Sequence, residues 1–418
     1  MKKNIQFYLV ILLIGIVIVL IIALQRNGES DKFETLQEWQ NVYDMRLKNI
    51  QTENPHVKEI FSKCGIEKHC TIESLSDLAK KEDKQVVLGT VREILSTYEK
   101  IGFYCHENGH HIGMFVYGFI GNVSESISSI ERRCGGSVYH GIIENYFLSA
   151  VLLENQNVKD LKITNICDDM GSDLLKVECL HGIGHGLLKA YNFDVTSALH
   201  RCDEVTLPES CYNGVAMENA IKYREDNNES LNGFDVIRYC SSLDKKYQPT
   251  CYIYQANIIL ISKKYSINES LTLCDTIKNQ EEIDYCYYGI GAQIFSTSLG
   301  NIEKTISECQ QGKSNFQSLC IKGNELFILD QFGIDKGLEF CKIIPENFKS
   351  DCYYNIGAFL RFSFYSEEKI MNICSSAENG KYVEDCVTKK PKRIKCTAIF
   401  ILPDNTTQDL TDSIGCGF

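Results

Sequence analysis

The histidines carry the clearest chemical signal in the chain. Six of the nine lie between residues 106 and 185. In three segments a residue able to bind a metal is followed four positions later by another, and these pairs are His106/His110, His140/Glu144 and His181/His185. Residues at i and i+4 share one face of an α-helix, so two such groups can converge on one ion. The spacing therefore predicts metal ligands on three helices.

The three pairs also occupy one position in a repeat. His181 and His185 are the second and sixth residues after Cys179, and the other two pairs take the same places if Val138 and Tyr104 stand where the repeat has cysteine. Neighbouring helices of such a repeat line one concave surface about 10 Å apart, a distance that long side chains can bridge. We therefore expect all six groups to converge, either in one closed site or in a dinuclear site with open positions.

Imidazole and carboxylate ligands suit a divalent transition metal, with zinc favoured and iron or copper as alternatives. An open coordination position would permit chemistry with metal-activated water or oxygen. Two other interpretations stay open at this stage. The imidazoles could only hydrogen-bond between helices, or they could form a pH-sensing or proton-relay cluster. Cys105 and Cys179 adjoin the predicted site, but an even number of cysteines favours disulfides over thiolate ligands.

One segment also matches a known catalytic motif. Residues 106–110 read HENGH and fit the H-E-x-x-H pattern of zinc peptidases, with Glu107 as the candidate general base and Glu144 as a third ligand. However, Gly109 lies inside the motif, and the sister segments carry Gly141 and Gly182 where Glu107 stands. If the three segments share a role, Glu107 is incidental. A zinc hydrolase is therefore an alternative to the simpler metal-binding prediction.

Cysteine divides the rest of the chain into repeats. From Cys167 onward, 14 cysteines form seven pairs: 167/179, 202/211, 240/251, 274/286, 309/320, 341/352 and 374/386. The first members recur every 32 to 38 residues, a period typical of helix–turn–helix repeats. We expect a long helix to start near each second cysteine, and a shorter helix to end at the next first cysteine. Disulfides would then join each short helix to the following long one.

Two further features of the cysteine pattern lead to predictions. The remaining cysteines pair as Cys64–Cys70, Cys105–Cys134 and Cys396–Cys416. The fifth residue after the second cysteine is small in most repeats, namely Gly184, Ala216, Ala256, Gly291 and Gly357. A small side chain at a fixed place lets two helices approach closely, so this position predicts a packing contact.

In period, the pattern resembles tetratricopeptide-type helical repeats, especially their disulfide-stitched bacterial relatives, over about residues 101 to 386. The resemblance implies an α-solenoid with a peptide-binding groove, and it assigns no residue a role. Tyrosines follow several second cysteines, at positions 212, 252, 287 and 353. We expect them to pack with a hydrated hydroxyl, and a peptide- or glycan-binding groove is the less favoured use.

Composition limits the compartment and the partners. The chain has 418 residues, 20 cysteines and a net charge of −12 from 43 basic and 55 acidic residues. So many cysteines point to an oxidising compartment. Without a broad basic stretch, nucleic acid is not expected as a partner.

The first residues predict a membrane anchor. Lys2 and Lys3 precede residues 7–24, an uncharged apolar run of 18 residues, and no small-residue cleavage site follows. This favours an uncleaved signal anchor that meets the bilayer through residues 7–24, with the bulk of the chain outside the cytoplasm. Four glycosylation sequons, at Asn122, Asn228, Asn268 and Asn405, are compatible with that orientation.

The predicted fold class is all-α, an α-solenoid of repeats of about 34 residues preceded by one transmembrane helix. Its parts are a cytoplasmic stub and anchor (1–28), a helical stalk (29–100), histidine-rich repeats (101–200), cysteine-paired repeats (201–386) and a tail (387–418). The predicted function is metal binding outside the cytoplasm. If the metal activates water or oxygen, the protein is a metalloenzyme. The alternatives are a non-enzymatic scaffold for a peptide or glycan, with structural histidines, and the zinc hydrolase.

Overall fold

The structure is a computed structural model. It describes residues 45–46, 52–65, 67–101, 105–152, 157–161, 163–164, 166–168, 170, 173–226, 235–263, 265–298, 300–362 and 366–388. The predicted anchor at 7–24, the start of the stalk, the sequons at Asn228 and Asn405, and the Cys396–Cys416 pair lie outside the described residues. Within the described ranges, no helix is both long and apolar enough to cross a bilayer.

The described residues form nineteen α-helices and no strand, so the all-α prediction is confirmed. The helices are α1 (Pro55–Cys64), α2 (Lys68–Ala79), α3 (Lys84–Ile101), α4 (Cys105–Ile120), α5 (Val123–Ser129), α6 (Ser137–Leu152), α7 (Asp173–Ala190), α8 (Val195–Cys202), α9 (Pro208–Asp226), α10 (Val236–Ser242), α11 (Gln248–Ser262), α12 (Ile267–Cys274), α13 (Gln280–Thr297), α14 (Ile302–Cys309), α15 (Gln317–Phe332), α16 (Ile334–Ile343), α17 (Glu346–Phe362), α18 (Glu367–Cys374) and α19 (Gly380–Val387). Long and short helices alternate from α7 to α18, which gives the expected helix pairs.

The short helices begin where the sequence supplies a capping side chain. The residues Asp194, Asp235, Ser266, Asn301 and Ser366 precede α8, α10, α12, α14 and α18, and each side chain accepts a hydrogen bond from the backbone N–H three residues later. Such caps satisfy N–H groups that have no partner inside the helix. The buried face then follows helical spacing, as with Ile302, Ile306 and Cys309 of α14.

Nine disulfides lie within the described residues. They are Cys64–Cys70, Cys105–Cys134, Cys167–Cys179, Cys202–Cys211, Cys240–Cys251, Cys274–Cys286, Cys309–Cys320, Cys341–Cys352 and Cys374–Cys386. This confirms every predicted pair that the described residues contain. The long helices start three to six residues before the second cysteine, earlier than predicted. In α13 the reason is Asn279, whose side chain caps the backbone N–H of Glu281.

Each long helix packs against the next long helix along the chain, from α4 through α6, α7, α9, α11 and α13 to α15. The small residue at the fixed position lies in these contacts. A Cβ atom on Gly291 would collide with the carbonyl oxygen of Cys320, and one on Gly184 with that of Cys211. The predicted close approach of neighbouring helices is therefore confirmed. Helix α15 additionally contacts α3, a helix far earlier in the chain.

The tyrosines that follow the second cysteines are buried. Tyr252, Tyr287 and Tyr353 are fully enclosed, and Tyr212 is nearly so. The Tyr287 hydroxyl donates to Asp275 Oδ1 at 3.1 Å. These rings pack between helices. The hydroxyl groups of Tyr212 and Tyr252 also bond to protein side chains, Asp203 and Ser241, whereas the buried Tyr353 hydroxyl has no hydrogen-bond partner among the described residues.

Candidate metal centre

The structure brings together all six residues that the sequence predicts as metal ligands. Helix α4 supplies His106 and His110, α6 supplies His140 and Glu144, and α7 supplies His181 and His185. Five of the six side chains are buried, and His106 is half-buried. Since α4, α6 and α7 pack side by side, equivalent positions on the three helices face a common interior.

The imidazole rings form one continuous cluster. His140 is at the middle, with its ring centroid 4.3 Å from that of His181, 5.2 Å from His110, 5.5 Å from His106 and 5.8 Å from His185. His110 and His185 approach to 4.5 Å between centroids. This confirms the expected convergence of the histidines.

Three groups in the cluster place one potential ligand atom per residue within 4.8 Å of the others. They are His106/His110/His140, His140/His181/His185 and His110/Glu144/His185. Three histidines, His110, His140 and His185, each belong to two of the groups. These buried groups could hold a metal ion, with those three rings at the centre.

Each of the three central histidines meets a carboxylate through one ring nitrogen. His140 Nε2 lies 2.6 Å from Glu178 Oε2, and His185 Nδ1 lies 2.9 Å from Glu218 Oε2. The third pair joins the Nδ1 atom of His110 to an oxygen of Glu144, at 3.4 Å. A neutral imidazole that donates a hydrogen bond through one nitrogen keeps a lone pair on the other.

Three ring nitrogens of the cluster have no protein partner among the described residues. The buried atoms His140 Nδ1, His181 Nε2 and His185 Nε2 make no hydrogen bond. Buried polar atoms are normally paired, so three unpaired nitrogens in one cluster call for a missing partner. His106 Nε2 and His110 Nε2 face each other at 3.3 Å. That matches the spacing of about 3.3 Å between two nitrogens bound to one tetrahedral zinc at about 2.05 Å.

Two cations neutralise part of the surrounding negative charge. Lys189 Nζ binds Glu144 Oε1 at 2.6 Å and Glu218 Oε1 at 3.1 Å. Arg132 Nε binds Glu178 Oε1 at 2.7 Å, and its Nη2 binds Asp330 Oδ1 at 2.5 Å. The outer layer of the cluster is therefore an alternating set of carboxylates and cations.

Burial keeps the imidazoles neutral. Desolvation, and then the neighbouring imidazoles, hold the pKa of His106, His140, His181 and His185 well below the usual range. Burial alone would raise the pKa of Glu144, but His110 and Lys189 lower it to about 2. At neutral pH these histidines present lone pairs, the form in which imidazole binds metals.

The cluster is covered from one side by a segment remote in sequence. Gln331 Nε2, near the end of α15, lies 3.3 Å from His106 Nδ1, which is also 3.1 Å from the carbonyl oxygen of Cys134. The backbone at Gly135 and Gly136 is left-handed, and a Cβ atom on Gly136 would collide with the Glu178 carboxylate. Glycine is required there by both φ and space.

The residue predicted as a general base pairs with a lysine. Glu107 Oε1 accepts a hydrogen bond from Lys68 Nζ of α2 at 2.6 Å, and Glu107 belongs to none of the possible ligand groups. Cys105 and Cys179 are in disulfides, so they supply no thiolate. The same holds for a fourth possible group, Glu325/Cys341/Cys352, whose cysteines are bonded to each other.

The carboxylates and cations of the outer layer fall outside the i, i+4 pattern that predicts the ligands. Glu178 precedes His181 by three residues and shares its helix face, so its spacing could have revealed it. Glu218 lies on the next long helix, one residue past the repeat position of His185. Nothing local in the sequence points to Arg132 or Asp330, because their contact depends on how the helices curve.

Comparisons with models of protein families, with curated proteins and with solved structures give no match. A function can therefore be proposed only from the site itself.

Proposed function

We propose that this chain is a metalloprotein whose histidine cluster binds one divalent transition-metal ion. The ligands are drawn from His106, His110, His140, His181 and His185, with His110, His140 and His185 at the centre. The observation that carries the proposal is the set of unpaired, buried ring nitrogens on His140, His181 and His185. A metal ion supplies the partner that these atoms lack.

The carboxylates support the proposal by selecting the binding form of each ring. Glu178 and Glu218 accept the N–H of His140 and His185, so the opposite, unpaired nitrogen of each ring carries the lone pair. Carboxylate–histidine–metal arrangements of this kind are the rule in protein metal sites. Both oxygens of Glu144 are engaged, by His110 and Lys189, so we assign Glu144 an orienting role instead of the ligand role that the sequence predicts.

Charge balance favours one divalent ion. The carboxylates of Glu144, Glu178, Glu218 and Asp330 surround the cluster together with two cations, Lys189 and Arg132. Four negative charges against two positive ones leave two negative charges in a buried region, which is costly without compensation. One M²⁺ ion removes the imbalance.

The ligand chemistry favours zinc, with iron and copper as the alternatives. All proposed ligand atoms are imidazole nitrogens, which suit these three metals, and the nearby cysteines are in disulfides. Calorimetric titration with Zn²⁺ tests the proposal. We expect about one equivalent bound by the wild type, weak or no binding by His185→Ala, and unchanged binding by His200→Ala, which removes an exposed histidine of α8. Zinc affinity unaffected by His185→Ala would contradict the ligand assignment.

Catalysis with metal-activated water or oxygen is the second candidate function. It is favoured by the carboxylates beside the imidazoles. Glu178 and Glu218 contact the proposed ligands His140 and His185, and a carboxylate in that position can accept a proton. Catalysis needs an open coordination position. Azide should then change the visible spectrum of the Co²⁺-loaded protein. A spectrum insensitive to azide would contradict catalysis at the metal but would be compatible with metal binding. We assign Glu107 no part in either function.

We further infer an α-solenoid held outside the cytoplasm by the apolar segment at 7–24. Support comes from the sequential packing of long helices, from the return of α15 to α3, and from disulfides, which persist in oxidising compartments. Protease added to intact cells should digest the chain after residue 28. Full protection of the chain until the cells are lysed would contradict this location.

A further inference from the structure

Arg132 joins two parts of the chain that are far apart in sequence. It lies between α5 and α6, and its guanidinium binds Glu178 of α7 on one side and Asp330 of α15 on the other. Arg132 and Asp330 are 198 positions apart. All three side chains are largely buried, with 23% of Arg132, 8% of Glu178 and 12% of Asp330 exposed. A planar guanidinium between two carboxylates fixes the position of both.

An unbroken series of side-chain contacts links Asp330 to the proposed metal site. Asp330 binds Arg132, Arg132 binds Glu178 Oε1, and Glu178 Oε2 lies 2.6 Å from His140 Nε2. His140 is the ring that stands at the middle of the cluster. Rotation of Glu178 away from His140 would free the ring to turn and to change tautomer, and its Nδ1 atom would no longer be held toward the other ligands.

A second contact between the same two parts lies beside the first. Gln331 reaches His106 Nδ1, and its amide also binds Asp330 Oδ2 at 2.5 Å. The turn at Gly135 has space for no side chain, because a Cβ atom there would collide with Gln331 and Asp330. The end of α15 is therefore fitted closely against the segment that carries Arg132.

We propose that Asp330 is a positioning residue for the metal centre, which acts through Arg132 and Glu178 on His140. The inference rests on the proposed function. Under it, the site is assembled from two regions of the chain: α4, α6 and α7 supply the ligands, and the end of α15 locks their orientation. Because linkage is reciprocal, the metal ion in turn strengthens the contact between α15 and the Arg132 segment.

Titration of the purified chain with Co²⁺ tests the inference, because the visible spectrum of Co²⁺ reports coordination geometry as well as affinity. We expect Asp330→Ala to bind Co²⁺ about 10- to 100-fold more weakly, with an altered spectrum. Asp330→Asn, which keeps an oxygen that can accept from Arg132, should recover part of the loss. Lys349→Ala is the matched control, since it breaks a similarly enclosed pair with Glu378 that also joins separate helical segments.

The outcomes separate the inference from the proposed function. If the wild type binds no Co²⁺, the metal site itself fails. If the wild type binds and Asp330→Ala binds with the same affinity and spectrum, the positioning role is overturned. A loss of equal size in Lys349→Ala would also overturn it, because the effect would then be general destabilisation.

A measurement on the wild type covers the case in which Asp330→Ala does not fold. Zn²⁺ should slow backbone hydrogen exchange at residues 328–332 of α15 as well as in α4, α6 and α7. Slowing confined to α4, α6 and α7 would contradict the proposed coupling. The residues of α18, which the proposal does not involve, serve as the internal control.

Discussion

The Nε2 atom of His140 lies 2.6 Å from the Oε2 atom of Glu178. The carboxylate holds His140 in the form whose Nδ1 atom is unprotonated, and that atom is buried without a partner. The same relationship recurs between His185 and Glu218. Recurrence on successive helices is what distinguishes this cluster from histidines that only fill space in a core.

The carboxylates should therefore control metal affinity although they do not touch the ion. Glu218→Ala removes the acceptor that orients His185 and one of the two partners of Lys189. Zinc affinity should fall about 10- to 100-fold, as measured by competition with a chromogenic chelator. Glu303→Ala, on the exposed face of α14, is the control and should leave the affinity unchanged.

Close helix approach predicts a sharp contrast between two glycines. Gly291→Ala places a methyl group against the backbone of α15 at Cys320, and overpacking of this kind costs about 1–3 kcal/mol of unfolding free energy. Gly89→Ala, in α3, meets no atom within 4 Å and should instead stabilise the helix by up to about 1 kcal/mol. Chemical denaturation of both variants measures the difference, and equal effects would refute the packing account.

A buried acid should make stability depend on pH. Burial raises the pKa of Glu325 well above its ordinary value of 4.5, although Asn355 donates a hydrogen bond to it. The folded chain then keeps a proton that the unfolded chain releases, so unfolding free energy falls as pH rises above about 4.5. Glu325→Gln removes this loss. Its stability relative to the wild type should therefore increase from pH 4.5 to pH 8, and a pH-independent difference would be inconsistent with the raised pKa.

The disulfide pattern gives a direct chemical count. Eighteen cysteines are bonded within the described residues, and only Cys396 and Cys416 lie outside them. Denatured but unreduced protein should release at most two titratable thiols, and reduction should expose all 20. More than two thiols before reduction would show that some of the disulfides between helices are not formed.

Much of this arrangement follows from local sequence patterns. The cysteine period predicted the helix pairs and their bridges, because each disulfide spans only a short loop. The i, i+4 spacing and the shared repeat position of His140 and His181 predicted that the rings meet, since packing of neighbouring helices preserves the register.

The remaining features depend on contacts that no local pattern encodes. Asp330 and Arg132 are 198 positions apart in the chain, and α15 also contacts the distant helix α3. Contacts over such separations depend on side-chain packing at every helix interface, which the repeat period does not specify. Helix α13 also starts earlier than the repeat pattern predicts, because the Asn279 side chain caps the backbone N–H of Glu281.

The metal content of the purified chain tests the central claim most directly. Elemental analysis should find about one equivalent of a divalent transition metal in the wild type and none in the His140→Ala/His181→Ala double variant. Absence of stoichiometric metal from both proteins would contradict the metal centre. Metal retained by the double variant would contradict the assignment of its ligands.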